Sequence, residues 1–541
     1  NQLTVVGALT VNQDLTLNAS GASAGSVSVS GAGTNLTGAG GALTVTTGSV
    51  VFANAGSFAP TTTVLTFTGT GLQQVTQAGT VINNVAVNGA GADVRWLDAA
   101  NVTGNLAVTD GSVTFGDFAN AVTGNIDYSA AAGSNDNLTL LHLAGNTLTV
   151  GGNWNLGNAG TFTSGAGTVA FSGGAAANIT TGGGNFGIVT IAKTIGTLAN
   201  AMTASQLSLN VGAALTLGNA LTTSASLTLA GGTFVTGGFA VTSNGTTAFN
   251  GTNVTLTGAL DLNGPVSSTG GTVTQTAGAV TLSDPTVNLG GLTAWNGAAG
   301  GSVTMDNVGV PQTLTRPAGT GFNAFFASST VSTALAGGTL TTQTATVTAG
   351  VLITTTNPLT VANALTLNGG NLSTTTGALT VNGNLVLTSG TLTVGSGNAD
   401  VAGSLSGAGG LNLGANDINI GGAIADFGSL TFAAPLANST VQIDAAAGAV
   451  TLTPNVTPFQ ELTILRGGAG LIVTPAVRAV VCNGPVNVTT GVLQGTFPLT
   501  FNFAGTQTVI GATGTIDLRL QGLIHTFAGG VTIQGILNAI P

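Results

Sequence analysis

Nine residues between positions 93 and 136 carry side chains able to do chemistry: Asp93, Arg95, Trp96, Asp98, Asp110, Asp117, Asp127, Tyr128 and Asp136. Carboxylates beside an arginine are the parts of a polysaccharide-cleaving site. Paired acids act as general acid and base or nucleophile, and a guanidinium stabilises developing charge. Asp98, Asp117 and Asp136 follow one another at equal intervals. A chain that coils with that period stacks the three on one face, as a Ca²⁺ or sugar site. Aspartates at this spacing also serve as turn residues that keep a rod soluble.

The remaining reactive residue types are few. His142 and His525 lie far apart in the apolar runs LLHLAG and LIHTFAG and read as strand histidines, so neither a His-Asp-Ser arrangement nor HExxH can be built. Cys482 is the single cysteine, which excludes an internal disulfide framework and a cysteine metal cluster. In AVRAVVCNGP it reads as a small buried hydrophobe. Lys193 is the only lysine, and a phosphate loop needs a lysine and a following helix. Lys and Arg together number 6 against 16 Asp and Glu, so nucleic acid is excluded as a partner, because phosphate neutralisation supplies that affinity. Neither a tandem GGxGxDxUx array nor an EF-hand loop occurs. The reading is no catalytic residue, no cofactor and no enzyme, with Ca²⁺ at Asp98, Asp117 and Asp136 as the one metal candidate. Twelve Asn-x-Ser/Thr sequons, Asn18, Asn101, Asn253 and Asn487 among them, permit glycosylation without arguing for it.

The elements that would position these residues are clearest in LTVANALTLNGGNLSTTTGALTVNGNLVLTSGTLTV, Leu359 to Val394. Leu359-Thr360-Val361 returns as Leu379-Thr380-Val381, and Leu365-Thr366-Leu367 is answered by Leu385-Val386-Leu387, at the same interval. Apolar residues alternate with Thr, Asn or Ser, the period of a half-buried strand, and Asn and Gly separate the runs. A coil of about 20 residues with several short strands is one rung of a parallel β-helix. The fold expected is all-β, a right-handed parallel β-helix with rungs of that length.

Composition agrees. Only 4% of the 541 residues are charged, 43% are hydrophobic and 87 are glycine. Disordered chains are rich in charge and poor in β-branched residues, the opposite of this one. The mean hydropathy is +0.50, yet no stretch approaches the ~20 unbroken apolar residues of a spanning helix. The runs are also shorter than the ~9–11 residues of a barrel strand. Residues 1–541 read as one continuous solenoid, since each rung contacts only its neighbours and escapes the usual domain size limit. Phenylalanines such as Phe52, Phe58, Phe67, Phe115, Phe171 and Phe249 are expected to point inward. Longer supra-repeats begin near 61, 168, 302 and 499, each an apolar run ending in Phe or Met, then a Gln/Asn step, then a second apolar run.

Alternations such as GNLVLTSGTLTVGSG (383–397) resemble the passenger domains of autotransporters and filamentous-haemagglutinin-type adhesins. The block WNLGNAGTFTSGAGTVAFSGGAAANITTGGGNFGIVTI (154–191) resembles the low-charge repeats of large bacterial surface proteins. The resemblance implies a secreted β-solenoid at the cell surface.

The function expected is a structural subunit of an extracellular fibre. Charge, the usual protection against edge-to-edge association, is scarce, and both ends read as strands without a capping helix, so rods would stack head to tail or donate a strand. The assembly ends would be Leu3, Val5 and Val6 on one side and Val531, Ile533, Ile536 and Leu537 on the other, with the chain itself as partner. The alternatives are a monomeric adhesin stalk that binds surface glycans, and a polysaccharide-degrading enzyme or tailspike. The threonines Thr342, Thr344, Thr346 and Thr348 raise ice binding by a flat hydroxyl face, but threonine also simply suits exposed strand positions, and its spacing from rung to rung is too irregular for a long flat array.

Overall fold

The computed structural model describes residues 3–17, 21–30, 34–38, 41–52, 55–59, 64–131, 135–141, 145–316, 321–432, 439–444 and 449–464, and beyond these 472–475, 480–484, 486–488, 492–493, 499–502, 506–510, 518–521, 524–528 and 538–540. Among them there is no helix, hence none long and apolar enough to cross a membrane. The strands stack in parallel as a β-solenoid with rungs of about 20 residues. The physical cause is the alternation seen in the sequence. A period of two turns one set of side chains inward, and a recurrence at rung length places each inward residue over its predecessor.

The chain divides into two compact units, Asn1–Gly264 with Thr269–Val273, and Pro265–Ser268 with Thr274–Pro541. In the first, one inward column runs Leu3, Ala22, Leu43, Leu65, Val85, Leu106, Ile126, Trp154, Ile179. The step stays close to one rung length up to Ile126. It widens from Ile126 to Trp154 and from Trp154 to Ile179, as loops lengthen the turns. In the second unit, Leu340, Leu359, Leu379, Ala399, Ile418, Val441, Leu462 and Val486 form the equivalent column. All of these are buried except Leu3. The strand Leu359–Leu367 pairs with both Leu379–Val381 and Asn384–Leu387, and Asn371–Ser373 with Thr391–Thr393, so the recurrence read in the sequence is one turn of the solenoid. Phe52, Phe67, Phe115, Phe171 and Phe249 point into the core; the side chain of Phe58 lies outside the described residues.

The supra-repeats at 61, 168 and 302 share a strand plan: Val64–Phe67 then Gly71–Thr76, Thr168–Phe171 then Ala177–Thr180, Ser302–Met305 then Gln312–Thr315. Two of them bury a glutamine that reaches back one turn. Gln73 Nε2 donates to the Val45 carbonyl at 3.3 Å, and Gln312 Nε2 to those of Leu282 and Asp284 at 2.6 and 3.0 Å.

The threonines at 342–348 do not form one flat face. The strand Leu340–Val347 shifts register between Thr342 and Thr344. Thr342 faces inward with Leu340 and is buried, its hydroxyl donating to the Thr344 carbonyl at 2.8 Å, whereas Thr344 and Thr346 face outward. Alternation breaks there because Gln343 and Thr344 both face outward; the extra residue of the register shift lies in the partner strand, where Ala362 and Asn363 oppose Gln343.

Candidate functional site

The structure does not gather Asp98, Asp117 and Asp136 into a site. Thr114 lies one turn above Arg95, at the spacing that separates Asp117 from Asp98. The next turn is longer, since Val113 pairs with Leu138. The equal spacing that would stack Asp136 over Asp117 is therefore out of register. Each carboxylate holds backbone or amide N–H groups instead. Asp98 accepts from the amides of Gln77 and Ala78 at 2.9 and 2.5 Å, bracing a turn in which Ala78 has a φ of 49°. Asp117 accepts from Asn146 Nδ2 at 2.7 Å. Asp136 is buried and accepts from the Gly111 amide at 2.6 Å. Among the described residues no group of three or more His, Cys, Asp or Glu is placed to hold a metal.

The other residues of the 93–136 cluster are largely committed as well. Asp93 and Arg95 pair with each other on the surface at 2.7 Å, an exposed contact of little energetic weight. Trp96 is not a surface platform for sugar: it is buried, stacks on Phe115 at 5.1 Å, and donates from Nε1 to Gln77 Oε1 at 2.8 Å. Asp127 accepts from the Ser129 amide at 2.8 Å. Tyr128 is buried and donates to the Asn137 carbonyl at 3.2 Å. Burial, and secondly the negative charge of Asp136, hold its pKa well above the usual 10.0. The folded state thus keeps a proton that the unfolded chain releases above about pH 10, so stability falls as pH rises past that value. Tyr128 is the only tyrosine. Tyrosinate absorbance is expected to appear only together with loss of the β-sheet circular dichroism signal; reversible titration near pH 10 in the folded protein would show that the hydroxyl reaches water.

Lys193, the one lysine, is also inside. It donates from Nζ to the carbonyl of Gly151, reaching across the intervening turn that carries Phe171 and Gly173. Cys482 is buried, and burial pushes its thiol far up, which suppresses the reactive thiolate. His142 lies outside the described residues, and His525 falls in the strand Ile524–Ala528.

An asparagine ladder in the first unit has no counterpart in the sequence-based expectations. The side-chain oxygens of Asn84, Asn105, Asn125 and Asn153 accept the amides of Asn105, Asn125, Asn153 and Asn178, each on the next turn, at 2.7–2.8 Å. Gly104, Gly124 and Gly152 precede three of these asparagines. A Cβ on any of them would lie 2.3–2.5 Å from the asparagine oxygen of the turn below. The signal in the sequence is the recurrence of Gly-Asn at rung spacing, which is hidden because Gly and Asn are common in every turn.

Two surface features remain uncommitted. The register carries an outward column through six consecutive turns of the first unit: Thr139, Thr163, Asn185, Thr203, Thr222 and Thr242. All six are half-buried or exposed. A groove of about 640 Å³ opens in the same face, lined by Thr163, Asn185, Ser164 and Ser205, the rings of Phe162 and Phe186, and glycines. The glycine-rich turn Gly182–Gly184 forms part of its wall. Ser164 Oγ, rather than a backbone carbonyl, takes the Gly187 amide at 2.6 Å. Phe162 and Phe186, 4.8 Å apart, rest on Trp154.

Comparison with protein-family models, with curated proteins and with solved structures gives no match to this chain.

Proposed function

We propose that the protein is a structural subunit of an extracellular fibre, secreted to the cell surface, whose β-solenoids add end to end. The observation that carries this reading is the use made of its polar groups. Asp98, Asp117, Asp136, the Asn84–Asn178 ladder, Gln73, Gln312 and Lys193 all tie one turn to another. Side chains able to do chemistry are spent on holding the stack together.

The contact proposed at one end falls on the strand Leu3–Val11. This strand pairs with Ala22–Val29 on one edge. Leu3, which heads a column otherwise buried, is 42% exposed, Val6 is 96% exposed and Val5 is half-buried. In the proposed contact, a turn of a neighbouring molecule pairs with the backbone of this strand. The opposite end proposed for the contact, Val531, Ile533, Ile536 and Leu537, lies outside the described residues.

Negative-stain electron microscopy with sedimentation velocity over a concentration series tests the proposal. Filaments one solenoid wide, lengthening with concentration, are expected, and a Val6→Lys, Leu3→Lys variant should shorten them. Stable isolated monomers at milligram-per-millilitre concentration would overturn it.

A second reading, a stalk that displays a binding face, is favoured by the groove and threonine column of the first unit.

A further inference from the structure

We infer that the face of the first unit carrying Thr139 to Thr242 binds a linear, uncharged polysaccharide, gripped at the groove beside Thr163 and Asn185. The inference stands apart from fibre assembly, since a monomer and a filament present the same face.

The column sets the kind of ligand. Five steps at about 4.8 Å per turn spread six hydroxyl or amide groups over about 24 Å. These groups are neutral, short and held at regular intervals by the strand pairing beneath them. A row of this kind is matched by a polymer that presents hydroxyls at a comparable repeat, each side chain acting as donor or acceptor as required.

The groove sets the charge. Among the described residues no Asp, Glu, Lys or Arg lines it. A carboxylated or phosphorylated ligand entering it would lose water without gaining a counter-charge. A neutral sugar meets hydroxyl and amide groups at the rim and the two phenylalanine rings at the floor. Such a mixture of apolar surface with a few polar groups is typical of a small-ligand site, and the volume lies within the usual range. The glycines are required for this shape. A Cβ on Gly184 would lie 2.6 Å from Phe162 Cβ, and one on Gly187 2.7 Å from the Gly165 carbonyl oxygen.

Two competing ligands fit less well. An extended peptide joins a sheet through unpaired backbone groups, but the column positions are already paired strand to strand along the row. Ordered water of an ice surface needs a flat plane, and the groove hollows the face beside Thr163 and Asn185.

Isothermal titration calorimetry of the full chain with cellohexaose, laminarihexaose and chitohexaose, and with hexagalacturonate as the charged counterpart, tests the inference. At least one neutral hexasaccharide is expected to bind and the charged one not. The double variant Thr163→Val, Asn185→Leu should weaken binding about tenfold or more, the equivalent of two modest hydrogen bonds. Thr203→Val, outside the groove, should weaken it less, and Thr380→Val in the second unit should leave it unchanged, with circular dichroism unaltered throughout. No heat with any neutral hexasaccharide, preference for hexagalacturonate, or undiminished affinity in the folded double variant overturns the inference. So does ice shaping that disappears in the double variant, which would make the row a water-ordering face.

Discussion

Gly383→Ala is expected to destabilise the second unit by about 4 kcal/mol or more, at the extreme of single substitutions. A Cβ at Gly383 would lie 1.4 Å from the Asn363 carbonyl oxygen, a backbone atom that cannot swing aside. The two turns above repeat the arrangement: a Cβ on Gly403 would be 2.3 Å from the Gly383 oxygen, and one on Gly422 2.2 Å from the Gly403 carbonyl carbon. Glycine is required here by the closeness of stacked turns. Because each turn touches only its neighbours, the damage should be local. Hydrogen exchange should show amides between the strands Leu359–Leu367 and Leu405–Gly407 losing protection, while those of the first unit keep theirs. Gly174 supplies the control, since a Cβ there meets nothing within 4 Å; Gly174→Ala should change stability by less than about 0.5 kcal/mol. Full protection around Gly383 in the alanine variant would show that the turns can separate without loss.

The second large effect is expected at Gln77. Its side chain is fully buried and makes four hydrogen bonds. Oε1 accepts from Trp96 Nε1 at 2.8 Å and from the Asn101 amide at 3.0 Å, and Nε2 donates to the carbonyls of Thr80 and Asn101 at 2.7 and 3.0 Å. Leucine fills similar space but leaves those partners in the core without water, at a cost of about 3 kcal/mol. Denaturant unfolding followed by tryptophan emission should show the loss. Gln275 is an internal replicate in the second unit, accepting from Trp295 Nε1 at 3.2 Å and donating to the carbonyls of Gly278 and Ser302 at 2.9 Å each. Gln275→Leu should therefore reproduce the lesion. If both leucine variants unfold with the parent, the corner amides are ornament and the apolar columns alone hold the turns.

The candidate acids show where sequence reasoning stopped. Asp98, Asp117 and Asp136 were legible as a periodic set, because spacing is a property of the chain. Their partners were not. The turn from Val113 to Leu138 is a long one, and no local pattern announces that a loop has lengthened it and thrown Asp136 out of step. The outward threonine column was hidden for the same reason. Its intervals are unequal, widest from Thr139 to Thr163 and narrowest from Asn185 to Thr203, and only strand pairing brings them into line.

The architecture, by contrast, was written in the chain. Alternation of apolar with Thr, Asn or Ser sets which side chains face inward, and the recurrence of Leu359, Leu365 and Leu372 at Leu379, Leu385 and Leu392 sets the length of a turn. Both are decided by short-range geometry and by removal of apolar surface from water, so sequence alone determined an all-β solenoid and the size of its rungs. Tertiary structure decided what each polar group does. A carboxylate at the surface and one bonded to the amides of the turn below are the same residue in the sequence. The distinction arises only when turns stack at about 4.8 Å, close enough for Asp98, Asn105 or Gln77 to reach the backbone of another turn.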